Sequence, residues 1–128
     1  MKERKVIISY FFDTYALIEL YKGNPNYLKY RSGIKVFTNK LNLMEFAAFL
    51  IREKKENEIS KMFKDLSKYN LDYDNVVLIE AAKMKLRHKS KYLSYIDCIG
   101  YFIAAKNKVK FLTGDEKFKN MLNVEFVK

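Results

Sequence analysis

Cysteine is almost absent from this sequence, and so are histidine, proline and glycine. The only cysteine is Cys98 and the only histidine is His88, so an internal disulfide and a Cys/His zinc site are both excluded. With one proline and four glycines, a collagen-like or low-complexity composition is excluded as well. No run approaches the roughly 20 apolar residues of a membrane-spanning helix. We therefore expect a soluble protein of a reducing compartment, the cytoplasm.

Hydrophobic residues and positive charge are abundant instead. The chain has 128 residues, of which 49% are hydrophobic, including 10 Phe and 10 Tyr. That length predicts a single domain over residues 1–128 with a sizeable core. The formal net charge is +10. Such an excess keeps a protein soluble, and it also suits a polyanionic partner, either nucleic acid or an acidic protein.

The hydrophobic pattern alternates between strand-like and helix-like segments. Short apolar runs predict strands at residues 5–12, 34–38, 73–77, 110–113 and 124–127. Helical spacing predicts helices at residues 14–22, 25–32, 42–54, 57–69, 78–89, 95–107 and 116–121. This order predicts an α/β protein, a three-layer α/β/α domain around a mostly parallel sheet of four or five strands. The first strand is the most apolar, so we expect it to be fully buried at the sheet centre.

Four carboxylates are expected at one edge of this sheet. Asp13 directly follows the first strand, and Asp115 follows the strand at 110–113 after a Thr-Gly turn. Glu45 lies near the start of the helix after the second strand, and Asp97 begins the apolar helix that leads into strand 110–113. Ligands of open parallel sheets bind beyond the carboxyl ends of the strands, which is where these segments converge.

Each acid also has a purely structural interpretation. Asp13 and Asp115 suit the N-cap positions of the helices that follow them. The stretches Ser94-Tyr95-Ile96-Asp97 and Asn42-Leu43-Met44-Glu45 have the spacing of a capping box. A site is favoured only when the four are considered together, because carboxylates at a partly buried edge repel one another unless a cation neutralises them. Oxygen ligands of this kind suit Mg²⁺ or Mn²⁺.

Four stretches make the chain resemble the PIN-domain ribonucleases over essentially its whole length. They are FFDTYALI at 11–18, LNLMEFAAFL at 41–50, YIDCIGYFIAAKNKVKFLTGD at 95–115 and NVEFV near the end. The third is the most specific: an Asp at the start of an apolar helix with a small residue inside it, then a strand, then Thr-x-Asp. The length is close to that of VapC-type toxins of toxin–antitoxin pairs. The resemblance implies a PIN-like fold.

The resemblance also implies an acidic quartet that hydrolyses RNA with Mg²⁺ or Mn²⁺. Its catalytic members would be Asp13, Glu45, Asp97 and Asp115, with Asp13, Asp97 and Asp115 as metal ligands and Thr14 and Thr113 as supporting hydroxyls. Glu116 is a candidate to share the role of Asp115. Glu53 competes with Glu45, because the family's second acid moves with the length of the preceding loop. Tyr15 stands where a small residue is common and would narrow the site.

Positive charge is concentrated in KMKLRHKSK at 83–91, upstream of Asp97. This segment is either an ordinary solvated helix face or a track for RNA phosphates. In the second interpretation the RNA-binding residues are Lys83, Lys85, Arg87, Lys89 and Lys91, and Lys40, Arg52, Lys54 and Lys55 extend the track or form another.

The partners and the exact function stay open at this level. The resemblance implies a homodimer and an antitoxin protein, with helices at 42–69 providing the groove or the dimer interface. The alternatives are an RNA-processing nuclease without an antitoxin and a non-catalytic RNA-binding or scaffold module. A receiver or phosphatase domain is disfavoured, because its second acid would stand within a couple of residues of Asp13. The absence of a Gly-rich phosphate loop disfavours a nucleotide site.

Overall fold

A computed structural model of the protein describes residues 6–128. In this part of the chain, four parallel strands form one sheet: β1 (Ser9–Phe12), β2 (Lys35–Phe37), β3 (Lys110–Thr113) and β4 (Val124–Phe126). Their spatial order is β2-β1-β3-β4. The central position predicted for the first strand is confirmed, because β1 pairs with both β2 and β3.

Helices connect the strands. The α-helices are α1 (Thr14–Lys22), α2 (Lys40–Arg52), α3 (Ile59–Leu66), α4 (Asn75–Arg87) and α5 (Tyr95–Lys106). Short 3₁₀ turns cover Pro25–Tyr30, Glu56–Glu58, Ser67–Tyr69, Lys89–Lys91 and Glu116–Phe118. Over residues 6–128, no helix has the length and apolar character needed to cross a bilayer.

The alternation of side chains along β1 divides the core into two. Tyr10 and Phe12 point to one face of the sheet, where they pack in a cluster with residues of α1, α2 and α3 such as Leu17. Phe11 points to the other face and packs with residues of α4 and α5 such as Met84 and Ile103. Successive residues of a strand face opposite sides, so a strand apolar at every position is covered on both faces. The expected α/β/α layering is confirmed.

Gly100 allows α5 to lie directly against the sheet. A Cβ atom at this position would stand 3.0 Å from the ring of Phe11 and 3.4 Å from the ring of Phe111. These two rings stack on one another, with centroids 5.8 Å apart, across β1 and β3. The close contact fixes α5, and therefore Asp97 one turn earlier, relative to the carboxyl ends of both strands.

The apolar run at residues 5–12 is longer than the strand it predicts. β1 begins only at Ser9, and Val6, Ile7 and Ile8 are exposed; residue 5 lies outside the described residues. The prediction of a fully buried strand over the whole run is therefore wrong. The partner strands determine where β1 begins. Pairing with β2 starts at Ser9 and Lys35, and pairing with β3 starts at Tyr10 and Lys110.

The strand predicted at 73–77 is also wrong. This segment begins α4, and the Asp74 side chain caps that helix by accepting a hydrogen bond from the backbone N–H of Val77 at 3.1 Å. The paired valines at 76 and 77 suggested a strand, but the cap directs the chain into a helix. Extended pairing near this place is confined to a single parallel bridge between Thr38 and Asn70.

The helix predicted at 42–54 begins two residues earlier than expected. Asn39 is its N-cap and accepts a hydrogen bond from the N–H of Leu41 at 2.9 Å. The capping box predicted for Asn42–Glu45 is therefore wrong, because Asn42 lies within α2. This shift places Asn42 and Glu45 one turn apart on the same helix, where both face the end of β1.

Candidate active site

All four predicted acids line one cleft of about 500 Å³ at the carboxyl edge of the sheet. Asp13 follows β1 and Asp115 follows β3, and a hydrogen bond from the Asp13 N–H to the Leu112 carbonyl, 3.2 Å long, holds the two strand ends together. Glu45 enters the cleft from α2, and Asp97 from the first turn of α5. The topology therefore brings together carboxylates from four distant segments.

Asp13 is the most deeply buried of the four. Its Oδ1 accepts a hydrogen bond from the N–H of Ala16 at 2.8 Å, and so it caps α1. Burial raises its pKa to about 8, with smaller increases from Asp97 and Asp115, although hydrogen bonds from Thr113 and Ala16 act in the opposite direction. A carboxyl group that is hard to ionise in this setting would be stabilised as a carboxylate by a nearby cation.

Glu45 is held by a short chain of polar contacts. The Thr14 hydroxyl donates to Glu45 Oε1 at 2.5 Å, and Asn42 Nδ2 donates to Thr14 Oγ1 at 3.2 Å. Burial raises the pKa of Glu45, the Thr14 hydrogen bond lowers it, and Asp97 raises it. Thr14 thus orients the carboxyl group of Glu45 toward the cleft, a role that fits its expected support of the acids.

Asp97 takes part in the predicted capping box, which the structure contains. The Ser94 hydroxyl accepts from the Asp97 N–H at 3.0 Å, and Asp97 Oδ2 accepts from the Ser94 N–H at 2.9 Å. Burial raises the pKa of Asp97, the bonds to Ser94 lower it, Asp115 raises it and Lys117 lowers it. The capping box therefore fixes the rotamer of an acid that lines the cleft.

Asp115 stands at the end of a tightly packed turn. Its N–H donates to Thr113 Oγ1 at 3.0 Å, and its Oδ1 accepts from the N–H of Lys117 at 3.0 Å. A Cβ atom on Gly114 would lie 2.1 Å from the ring of Tyr15 and 2.3 Å from the carbonyl oxygen of Val127. Tyr15, which also lines the cleft, therefore packs against this turn, and only glycine leaves room for it.

A divalent cation fits this donor set chemically. Each of the four carboxylates accepts at least one of the hydrogen bonds above, and its remaining acceptor capacity makes it a candidate ligand. Among residues 6–128, no three Asp, Glu, His or Cys side chains form a preassembled metal-binding group. The fit depends instead on two properties of the acids. All the donor atoms are oxygens, and the pKa of Asp13, Glu45 and Asp97 is raised. A hard cation such as Mg²⁺ would stabilise the ionised form of these carboxyl groups.

The two alternative acids lie elsewhere. Glu53 is an exposed residue just after the C-terminal end of α2, two turns beyond Glu45. Glu116 is exposed and pairs with Lys128 at 2.5 Å, and this contact lowers its pKa. Neither is among the residues that line the cleft, although Glu116 lies in the chain between Asp115 and Lys117, which do. The geometry therefore separates Glu45 from Glu53, which the sequence left as alternatives.

The predicted basic track is divided in the structure. The Lys85 ammonium donates to the Leu93 carbonyl at 2.8 Å, and Lys83 stands 3.5 Å from Glu80, so both have local protein partners. Lys91 is half-buried and donates to the carbonyl of Lys117 at 3.4 Å, which places it beside the cleft. The remaining members of the track, all exposed, are Arg87, Lys89 and Lys40.

Two cationic residues line the cleft itself, and the sequence analysis missed one of them. Lys117 lies two residues after Asp115, and its ammonium donates to the Tyr92 carbonyl at 3.2 Å. Arg52, considered only as an extension of the track, lies seven residues after Glu45 and so on the same face of α2. That spacing was visible in the sequence, whereas the position of Lys117 depends on the turn after β3.

Comparison with known proteins adds a family and several structures of similar fold. A family model described as the PIN domain matches residues 10–122. A toxin–antitoxin complex from Klebsiella pneumoniae matches at a TM-score of 0.72 and 18% identity, over 90% of this chain and 94% of that chain. VapBC2 from Rickettsia felis, bound to a DNA fragment from its promoter, matches at a TM-score of 0.69 and 14% identity, over 94% and 100%.

A crystal structure from Pyrobaculum aerophilum is similar as well, with a TM-score of 0.66 and 16% identity over 94% of this chain and 92% of that chain. No curated protein sequence matches the chain significantly. At these identities the structural matches establish the shared fold. The match to the family model, which spans most of the chain, establishes the family.

Proposed function

Because this chain belongs to the PIN-domain family, we propose that it is a metal-dependent endoribonuclease, the toxin of a VapBC-type toxin–antitoxin pair. The observation that carries the proposal is the convergence of Asp13, Glu45, Asp97 and Asp115 in one cleft. The net charge of +10 suits an RNA substrate. We place the proposed activity in the cytoplasm, where an RNA substrate is available.

The acids of the cleft take different parts in the proposed reaction. Asp13, Asp97 and Asp115 would hold Mg²⁺ or Mn²⁺, with Thr113 and the helix caps fixing the orientation of these acids. Held there, such an ion would supply Lewis-acid chemistry: a lowered pKa of a water molecule and polarisation of the scissile phosphate. Glu45, oriented by Thr14, would serve as a further ligand or accept a proton from the attacking water.

The cations of the cleft bind the negatively charged substrate. Lys117 and Arg52 enter from the turn after β3 and from α2, so they stand on different walls of the acidic cleft. Each supplies N–H donors that match phosphate oxygens. Lys91 and the exposed residues Lys89, Arg87 and Lys40 extend this contact to phosphates outside the cleft. Lys83 and Lys85 contribute less, because Glu80 and the Leu93 carbonyl already engage them.

A cleavage assay with labelled RNA tests the proposal. The wild-type protein is expected to cut RNA with Mg²⁺ or Mn²⁺ and to lose this activity with a chelator. Asp97→Asn and Glu45→Gln remove a charge from the cleft at nearly constant shape, so we expect cleavage to fall by about 100-fold or more. Glu53→Gln, at the end of the same helix and outside the cleft lining, is the matched control, and it should cleave like wild type.

Equal cleavage by wild type and Asp97→Asn would overturn the proposal, since the activity would then come from a contaminant or another site. A folded wild-type protein that binds RNA but never cuts it, at any divalent metal tested, would favour the non-catalytic binding module. A protein that cuts RNA but has no antitoxin partner would be an RNA-processing nuclease.

An apolar groove between α1, α2 and α3 provides a place for the antitoxin. It has a volume of about 400 Å³, its apolar lining includes Leu20, Phe46 and Met62, and charged side chains such as Lys61 and Asp65 stand among them. An amphipathic helix of the partner suits this mixture. Adding the antitoxin-like product of a neighbouring gene should therefore block cleavage, and Leu20→Arg should relieve the block. The homodimer implied by the resemblance stays a prediction.

A further inference from the structure

Two exposed tyrosines stand at the edge of the acidic cleft. The side chain of Tyr92 is 81% exposed and that of Tyr95 is 62% exposed. Tyr92 accepts a hydrogen bond at its carbonyl from the ammonium of Lys117, and Tyr95 directly follows Ser94; both Lys117 and Ser94 line the cleft. Both aromatic residues therefore lie next to residues that line the cleft.

The backbone of Tyr92 is in a conformation that tyrosine rarely adopts. Its φ of 54° and ψ of 38° lie in the left-handed region, which glycine and asparagine occupy at lower cost. Its ring buries little surface against the protein, so packing does not compensate for the strain. Neither the turn nor the core explains an aromatic residue here, and strained residues of this kind cluster at binding and catalytic sites.

The ring of Tyr95 is held in place from one side. The Lys85 ammonium lies 4.8 Å from the ring centroid, and the same ammonium donates to the carbonyl of Leu93. This anchored cation restrains the ring, while most of the side chain stays in contact with solvent. Capping of α5 does not require a tyrosine at this position, because Ser94 and Asp97 already satisfy the helix end.

We propose that Tyr92 and Tyr95 form an aromatic platform that stacks on unpaired bases of the RNA substrate; the inference rests on the proposed nuclease function. Exposed aromatic rings beside cationic side chains are the features by which proteins bind single-stranded nucleic acid. Lys91 and Lys117, which contact each other beside the platform, supply the charge for the adjoining phosphates. Because bases in a duplex already stack on one another, the platform selects single-stranded segments.

Fluorescence anisotropy with a short fluorescein-labelled single-stranded RNA tests this platform. The measurement is made with a chelator, so that binding is observed without cleavage. Tyr92→Ala and Tyr95→Ala are each expected to weaken binding by about fivefold or more, the range for loss of one stacked base. Tyr92→Phe and Tyr95→Phe keep an aromatic ring and should bind like wild type. On an abasic oligonucleotide of the same length, all variants should bind equally.

Tyr92→Gly separates binding from folding. Glycine removes the backbone strain, so chemical denaturation should show a free energy of unfolding equal to or above that of wild type. RNA binding should nevertheless fall as far as in Tyr92→Ala. A variant of undiminished stability and reduced binding would show that tyrosine is present for the ligand rather than for the fold.

Several results would overturn the platform: unchanged RNA binding in the alanine variants, an equal loss on the abasic oligonucleotide, or a changed oligomeric state in ultracentrifugation, which would make these tyrosines a protein interface. The nuclease proposal fails separately, in the cleavage assay. If the protein never cuts RNA but the alanine variants bind RNA more weakly than wild type, the platform stands and only the nuclease proposal fails. If the alanine variants cut RNA and bind it as well as wild type, the platform is contradicted and the nuclease proposal stands.

Discussion

At the scale of single residues, Asp13 combines two roles that the sequence presented as alternatives. One of its oxygens caps α1 through the Ala16 N–H, and its carboxyl group lines the acidic cleft. The combination is possible because a capping carboxylate lies at the start of its helix, and α1 starts where β1 reaches the edge of the sheet. Burial makes the ionised form costly, a cost that a structural cap on the surface would not carry.

This cost predicts a pH dependence of stability. The pKa of Asp13 is 3.8 in its ordinary state and about 8 in the folded protein. Over this window the folded protein retains a proton that the unfolded chain releases, so the contribution of Asp13 to stability is greatest below the lower value and declines as pH rises through the upper one. One such group changes the free energy of unfolding by at most about 1.4 kcal/mol per pH unit.

Urea denaturation at a series of pH values, with a chelator present, measures this decline. Asp13→Asn retains the ability to cap α1 and carries no charge, so its stability should fall less steeply with pH than that of wild type. Some decline should persist, because Glu45 and Asp97 also have a raised pKa. Parallel curves for the two proteins would contradict the burial argument.

At the scale of elements, helix beginnings position the site. α1 and α5 both start at the edge of the sheet, and the carboxylates of their first turns take part in capping. A cap restrains the side chain that makes it, because that side chain must keep its oxygen within hydrogen-bond distance of the backbone N–H groups of the first turn. The acids at these positions are therefore oriented before any metal or RNA binds.

Two N-cap substitutions separate stability from positioning. Ser94→Ala removes the hydroxyl that accepts from the Asp97 N–H and caps α5, and Asp74→Ala removes the cap of α4, away from the cleft. Each should lower the free energy of unfolding by about 1 kcal/mol. Only Ser94→Ala should also lower the rate of RNA cleavage, because it loosens the first turn of α5, which carries Asp97, although the backbone N–H that binds the Asp97 carboxylate is kept.

Thermal denaturation and the cleavage assay, performed on both variants, give the comparison. If Asp74→Ala lost as much activity as Ser94→Ala at temperatures where both are folded, the capping box would matter only for stability. Asp74 also pairs with Lys106 on the surface, and an exposed pair of this kind contributes little. The two substitutions are therefore matched in their main effect on a helix end.

At the scale of the whole molecule, a strongly basic protein concentrates acids in one cleft. A net charge of +10 would attract the proposed RNA substrate at long range, and the carboxylates would repel its phosphates at the proposed point of cleavage. Cations at the cleft, such as Lys117 and the adjoining Lys91, reduce that repulsion. RNA binding should therefore weaken strongly with added salt.

The salt dependence can be assigned to single lysines. Replacing Lys91 with alanine should lower the slope of log K against log salt by about 0.7, the value for one phosphate contact on a single strand. Lys61→Ala is the matched control: Lys61 is exposed but pairs with Asp65 at 2.7 Å and lines the apolar groove. Its slope should equal that of wild type, and an equal loss in both variants would mean that only net charge matters.

Much of the fold follows from local pattern. The apolar strand β1, the apolar helix α5 and the capping box at Ser94 were predictable because their signals depend on neighbours in sequence. The strand predicted at 73–77 failed because a single cap, Asp74, outweighed a pair of β-branched residues. The predicted length of β1 was wrong because the extent of strand pairing is set by the partner strands, which lie far away in sequence.

The amino-acid sequence by itself determined the alternation of strands and helices, the positive charge and the presence of acids after strands and at helix starts. Only the tertiary structure decided which acids meet: it brought Glu45 into the cleft and left Glu53 and Glu116 outside. It also placed Lys117 in the cleft and exposed Tyr92 and Tyr95 beside it. The reason is physical, since caps and periodicity act over a few residues, whereas a site depends on strand order and on packing such as that of Gly100 on the sheet.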